Sequence, residues 1–149
     1  MSNTINFNEK TGFICDMDGV IYHGNKILPG VKEFIDWLFK NKKRFLFLTN
    51  NSGLTPFELR QKLSRMGLDV AEEHFYTSAL ATAEFLKSQA PGCSVYALGE
   101  AALTNALYNV GIFMNDVNPD YVVIGEAKSY NIDTLTKAVN LVMNGAKLI

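Results

Sequence analysis

Two carboxylates stand one residue apart at the end of a short apolar run, Phe13-Ile14-Cys15-Asp16-Met17-Asp18-Gly19-Val20. Side chains alternate faces along a strand. If the strand runs through Asp18, both acids share a face. If it ends at Asp16, the chain can bend at Asp18-Gly19 and bring the second carboxylate over the first. Either way, two acids meet at the carboxyl end of a strand, where open α/β sheets place their ligands. Like charges this close need a cation, a shared proton or water, and a hard divalent ion such as Mg²⁺ suits oxygen ligands. A second polar run, Thr49-Asn50-Asn51-Ser52-Gly53, follows another apolar stretch. A hydroxyl and oriented backbone N–H groups hold an anion. An edge that takes both a cation and an anion suits a phosphoryl group. Its transfer requires a nucleophile, neutralised equatorial oxygens and a proton for the leaving oxygen.

The elements between these residues must bring them together. Residues 11–16 read as a buried first strand. Residues 19–30 carry Gly19, Gly24, Pro29 and Gly30 around Val20-Ile21-Tyr22, a loop or small flap beside the acids. Val31, Phe34, Ile35, Leu38 and Phe39 form one apolar helical stripe, with Lys40, Lys42 and Lys43 at its negative end. Residues 44–48 are a second buried strand. Strand, helix and strand make a parallel pair with a right-handed crossover, so Thr49 and Asn50 reach the same sheet edge as Asp16. Thr55, Pro56 and Glu58 open a helix with a capping box, whose apolar face is Leu59, Leu63 and Met66 and whose stop is Gly67.

Further on, residues 75–78 are extended and a helix over 79–89 stops at Pro91-Gly92. Strands over 94–98 and 121–124 are closed by Gly99 and Gly125. Leu103, Ala106, Leu107 and Val110 mark one helix, and Leu135, Ala138, Val139 and Val142 another. Lys147-Leu148-Ile149 opens one more strand, so the expectation is a piece of a longer protein. A domain seam is expected near residues 76–81.

The 149 residues are 48% hydrophobic and 19% charged, with a formal net charge of -1. That is a globular composition, and it offers no basic surface for nucleic acid or an anionic membrane. No apolar run approaches the roughly 20 residues that span a bilayer, and residues 1–9 lack the apolar core of a signal peptide. A cytoplasmic location is expected. Cys15 and Cys93 have no metal or redox spacing; Cys15 reads as core packing. His23 and His74 read as surface or loop residues, Trp37 as packing, and residues 126–130 as a loop at a strand end, with contact to a substrate as the alternative.

The stretch DMDGV followed by LTNNS resembles the first two motifs of the haloacid dehalogenase-like phosphatases. FYTSALATAEFL, DVNPDYVVIGEAKSYN and NGAKLI resemble its NagD-like branch, relatives of the 4-nitrophenyl phosphatases and nucleotidases. The resemblance implies an α/β fold: a three-layer Rossmann-like parallel-sheet core, begun by residues 1–78, and an incomplete α/β cap domain over 79–149. It implies that Asp16 is the nucleophile of an aspartyl-phosphate mechanism and Asp18 the general acid and base. Mg²⁺ would be held at Asp16 and Asp18, and phosphate by Thr49 and the N–H of Asn50. The implied substrates are small phosphorylated metabolites, nucleoside monophosphates or sugar phosphates.

The chain departs from the family pattern in lacking its later strand Lys and the acidic pair after Gly-Asp; Lys128 and Lys147 lie in cap-like segments. With those strands absent, the outer edge of the first strand is an unpaired apolar hazard. The expectation is poor solubility, self-association into a homo-oligomer, or a missing partner segment. Two other readings stand beside the phosphatase. One is a catalytically incomplete fragment that binds without turnover. The other is a phospho-accepting signalling domain, discouraged by two acids on one strand and no later strand ending in Lys.

Overall fold

The computed structural model describes residues 6–149. Its contacts divide the chain into two units. One runs up to Thr49 and resumes over Pro56–Tyr76; the other comprises Asn50–Thr55 and Thr77–Ile149.

In the first unit, β1 (Gly12–Asp16) and β4 (Arg44–Thr49) pair in parallel, from Gly12↔Arg44 to Asp16↔Leu48. Between them the chain forms an antiparallel ribbon of β2 (Tyr22–His23) and β3 (Lys26–Ile27), then α1 (Val31–Lys40). The ribbon is the flap expected between Gly19 and Gly30. The apolar stripe of α1 buries Val31, Ile35 and Leu38. After β4 comes α2 (Pro56–Arg65), which starts at the proline, buries Leu59 and Leu63, and is followed by Gly67 at φ 84°. β5 (Phe75–Thr77) completes a three-stranded sheet in the order β1-β4-β5.

Alternation along β4 puts Phe45, Phe47 and Thr49 on the covered face and Arg44 and Leu48 on the other. The covered face is aromatic. Phe47 packs edge-on to Phe45 and against Phe75, both at 5.5 Å between centroids. His74 corrects its reading as a surface or loop residue: its ring stacks on Phe45 at 3.9 Å, and its Nδ1 lies 3.0 Å from the Phe45 carbonyl oxygen. Trp37 packs as expected, stacked on Phe34 and edge-on to Phe13.

The buried first strand is also corrected. β1 sits at the end of the sheet order, and its residues are exposed or half-buried throughout. Ile14 is 73% exposed, and Leu48, two positions beyond its register partner Leu46, is 43% exposed. One sheet face is covered and the other is open, because no described element packs over Ile14. Cys15 is half-buried rather than core, and that burial raises its thiol pKa.

The second unit carries helices on both faces of its sheet. α3 (Ser78–Gln89), β6 (Ser94–Leu98), α4 (Ala101–Asn109), β7 (Phe113–Met114), β8 (Tyr121–Ile124), α5 (Ile132–Met143) and β9 (Lys147–Leu148) follow one another. The sheet order is β7-β6-β8-β9, all parallel. Ala79, Ala83 and Leu86 of α3 pack with Leu103, Ala106 and Leu107 of α4 against Val95 and Val123. Ala138 and Leu141 of α5 pack on Val122 with Tyr96 and Leu98. This α/β/α layering comes from strands apolar on both faces. The short strand β7 was not expected from sequence: two exposed residues carry no periodic signal.

Candidate active site

β1 ends at Asp16, and the chain turns over the residues that follow. Met17 turns inward and is fully buried, while Asp16 and Asp18 on either side of it are exposed. The Met17 carbonyl accepts from Val20, Ile21 and Tyr22 N–H groups at 3.2, 2.8 and 3.3 Å, and the Gly19 N–H donates to the Tyr22 carbonyl at 2.8 Å. Gly19 has φ 79°, a conformation that costs an L side chain energy. A knot of backbone bonds round one buried methionine thus holds the two carboxylates outside. The Met17 N–H donates to Asp16 Oδ1 at 2.8 Å, which fixes that side chain and leaves Oδ2 free to act. Neither acid forms a salt bridge among the described residues.

The register Asp16↔Leu48 puts Thr49 one position beyond the partner of Asp16, at the same end of the parallel pair. Their faces differ. Asp16 shares the open face with Leu48, whereas Thr49 closes the covered face and is 3% exposed.

Among the described residues, no group of three or more His, Cys, Asp or Glu side chains is gathered to hold a metal. Mg²⁺ keeps several waters and needs only one or two carboxylates alongside phosphate oxygens. Two exposed carboxylates with no cationic partner fit that requirement.

Asn50 onward belongs to the second unit, where the polar run is tied to the ends of β6 and β8. Ser78 Oγ donates to the Asn50 carbonyl at 2.7 Å. Asn51 Oδ1 accepts from the Gly53 and Leu54 N–H groups at 3.0 and 2.9 Å, and its Nδ2 donates to Glu126 Oε2 at 2.8 Å. The Glu126 N–H donates to the buried Ser52 Oγ at 2.6 Å. Glu100 Oε1 accepts from the Lys128 N–H at 3.0 Å, and the Tyr130 hydroxyl donates to the Gly125 carbonyl. Sequence reasoning passed over Glu100, gave Ser52 no role beyond its place in the polar run, and read residues 126–130 as a strand-end loop that could touch a substrate. A signal was present: both strands end in the same Leu/Ile-Gly-Glu pattern, Leu98-Gly99-Glu100 and Ile124-Gly125-Glu126.

The family model described as haloacid dehalogenase-like hydrolase matches residues 13–113. The chain belongs to that family. As a haloacid dehalogenase-like hydrolase it is 42% identical over 137 residues to a dihydroxyacetone phosphatase of Corynebacterium glutamicum, covering 92% of this chain and 50% of the relative. It is 43% identical over 136 residues to the ribonucleotide monophosphatase NagD of Escherichia coli K12, covering 91% and 54%. The solved structure of E. coli NagD superposes with a TM-score of 0.87 over 92% of this chain and 54% of that one. A glycerol phosphate phosphatase from Mycobacterium tuberculosis, solved in complex with magnesium, gives 0.85 at 29% identity over 93% and 42%. The chain spans about half the length of the curated relatives it matches. Among the described residues, no helix is long and apolar enough to cross a membrane.

Proposed function

We propose that this hydrolase acts on small phosphomonoesters, sugar phosphates or nucleoside monophosphates, with Asp16 as nucleophile. The observation that carries the reading is the exposed, unbridged pair Asp16 and Asp18, held outside the Met17 turn beside the end of β4. The substrate class follows the relatives, named for dihydroxyacetone phosphate and ribonucleotide monophosphates.

In the mechanism, Asp16 Oδ2 attacks phosphorus while Oδ1 keeps the Met17 N–H. The phosphorus–oxygen ester bond breaks, and the leaving oxygen takes a proton from the Asp18 carboxylic acid. An aspartyl phosphate remains. Asp18, now a carboxylate, takes a proton from water as that water attacks phosphorus; the bond from phosphorus to Asp16 Oδ2 breaks, the Asp16 carboxylate is restored, and inorganic phosphate leaves. Splitting one displacement into two is the gain of a carboxylate nucleophile. Thr49 and the N–H of Asn50 hold the phosphoryl oxygens. Bound at Asp16 and Asp18, Mg²⁺ would neutralise phosphoryl charge; a relative solved with magnesium supports that choice. On this reading residues 1–78 belong to the catalytic core and residues 79–149 to a cap domain. The two free cysteines suit a reducing, cytoplasmic setting.

A second reading has an observation of its own. With no third acid gathered near the pair among the described residues, these 149 residues would bind phosphate and turn over slowly or not at all. Phosphate release from a chromogenic ester with Mg²⁺ separates the readings, comparing this chain with Asp16→Asn. Release lost in the variant supports the phosphatase. Equal rates from both leave only the binding domain.

A further inference from the structure

We propose that Glu126 is the positioning residue of the loop that follows Thr49, acting through the side-chain amide of Asn51. The inference rests on the phosphate-binding role given to Thr49 and Asn50 above.

An asparagine amide has a donor end and an acceptor end, and little separates its two orientations in water. A carboxylate only accepts. Glu126 Oε2 therefore takes the NH₂ end of Asn51, at 2.8 Å, and turns Oδ1 toward the Gly53 and Leu54 N–H groups, at 3.0 and 2.9 Å. That oxygen holds the turn immediately after the anion-binding residues. The charge on the acceptor strengthens the bond.

Glu126 is in turn held against this loop. Its N–H donates to Ser52 Oγ at 2.6 Å. The glycine before it leaves room for the loop: a Cβ on Gly125 would meet Ser52 Oγ and Leu103 Cδ2, each at 2.8 Å, and both side chains would have to shift. Gly125 thus admits the loop, and Glu126 orients it. With the Asn50 carbonyl taken by Ser78 Oγ at 2.7 Å, three consecutive residues are pinned by partners that do not touch phosphate. What the pins determine is the direction of the backbone N–H groups, and an oxyanion site depends on donors fixed before the anion arrives.

The competing account is that these bonds tie down a loop with no bearing on anions. Glu126→Ala removes the acceptor; Glu126→Gln keeps an acceptor oxygen. Asn51→Asp sets two carboxylates face to face, and adding Glu126→Gln restores a donor–acceptor pair. The measurement is the affinity for inorganic phosphate in the presence of Mg²⁺, by calorimetry, with amide exchange at Gly53 and Leu54 read on the same samples by NMR.

Glu126→Ala is expected to weaken phosphate about fivefold, within the range of one ordinary hydrogen bond lost at a distance from the anion. It should also speed exchange at both amides. Glu126→Gln should stay near wild type in both, and the double variant should recover most of what Asn51→Asp loses. Phosphate affinity unchanged in Glu126→Ala overturns the inference, as does a Glu126→Gln variant as weak as Glu126→Ala. Thr49→Val separates the two layers. If wild type and Thr49→Val both fail to bind phosphate, the phosphatase reading falls, and the amide exchange alone decides whether Glu126 orients the loop. Faster exchange in Glu126→Ala with rescue by Gln then supports that role, and unchanged exchange overturns it.

Discussion

At the end of β1, Asp16 gives one carboxylate oxygen to the Met17 N–H, and no hydrogen bond or salt bridge engages the Asp18 side chain among the described residues. At the ends of β6 and β8, Glu100 accepts from the Lys128 N–H and Glu126 from Asn51. All four acids lie at the carboxyl ends of parallel strands, so position alone does not separate them. They differ in whether the protein already uses their lone pairs. The sheets behind them differ in the same sense. The first unit leaves one face of its sheet open beside Asp16, while the second covers both faces with helices. The less engaged acids lie beside an open sheet face, and the engaged ones end strands of a sheet covered on both faces. The proposed chemistry accordingly lies at the first pair, and the support proposed for the loop comes from Glu126 of the second.

The largest expected effect lies at the uncommitted pair. Under the proposed mechanism Asp16→Asn removes the nucleophile, and it is expected to lower phosphate release about 10⁴-fold or more, the scale on which loss of a nucleophile acts. Thermal stability should stay near wild type, since the carboxylate is exposed. Glu100→Gln keeps its acceptor oxygen and should leave the rate almost unchanged. A loss from Glu100→Gln as deep as that from Asp16→Asn would erase the distinction between the pairs.

Next in size is the covered face of the first sheet. Phe47 is fully buried between Phe45 and Phe75. Phe47→Ala is expected to cost about 3–5 kcal/mol of stability, read as a lowered midpoint in chemical denaturation.

Asp120, just ahead of β8, is a committed acid on the surface of the second unit. The Ser94 N–H, donating at 2.7 Å, and then the Ser94 hydroxyl at 2.9 Å hold its pKa below the ordinary 3.8. A carboxylate with a lowered folded-state pKa stabilises the fold above its unfolded value. That contribution is lost as pH falls from 3.8 through the lower folded value. Stability of the wild type is therefore expected to fall faster than that of Asp120→Asn as pH drops below about 3.8. Melting curves of both proteins at pH 5 and pH 3 read the difference, which is small because the group is exposed. Parallel slopes would mean that the Ser94 bonds give this acid nothing.

Much of this was legible beforehand. The stripe on α1, the proline opening α2 and the glycines closing β6 and β8 are local signals, and the elements follow them. Asp16, Asp18 and Thr49 could be placed at one sheet edge because strand, helix, strand admits one crossover hand. Three features were not legible, each for a physical reason. The exposure of Ile14 depends on what covers a sheet face, which a run of apolar residues does not state. The stacking of His74 on Phe45 joins residues from separate elements. The Asn51–Glu126 bond joins residues 75 apart in sequence, and only the parallel order β6-β8 brings that strand end to the loop.

The smallest expected effect tests the open face. Ile14 lies mid-strand in an apolar run, and by pattern its loss should resemble that of Phe47. Its exposure says otherwise: a surface substitution away from special features changes stability by about 0.5 kcal/mol or less. Ile14→Lys should therefore melt within a degree or two of wild type. Self-association is where it should differ. Ile14 is paired with Leu46, and Leu48 lies two positions further along on the same face, with the outer edge of β1 beside them, and a charge there opposes both face-to-face and edge-to-edge contact. Sedimentation of wild type and variant over a range of concentrations measures this. Association that weakens in the variant identifies the open face as its cause. A wild type that stays monomeric at every concentration would show that an exposed isoleucine on a sheet end is tolerated, and that the contrast between the two sheets stops at their acids.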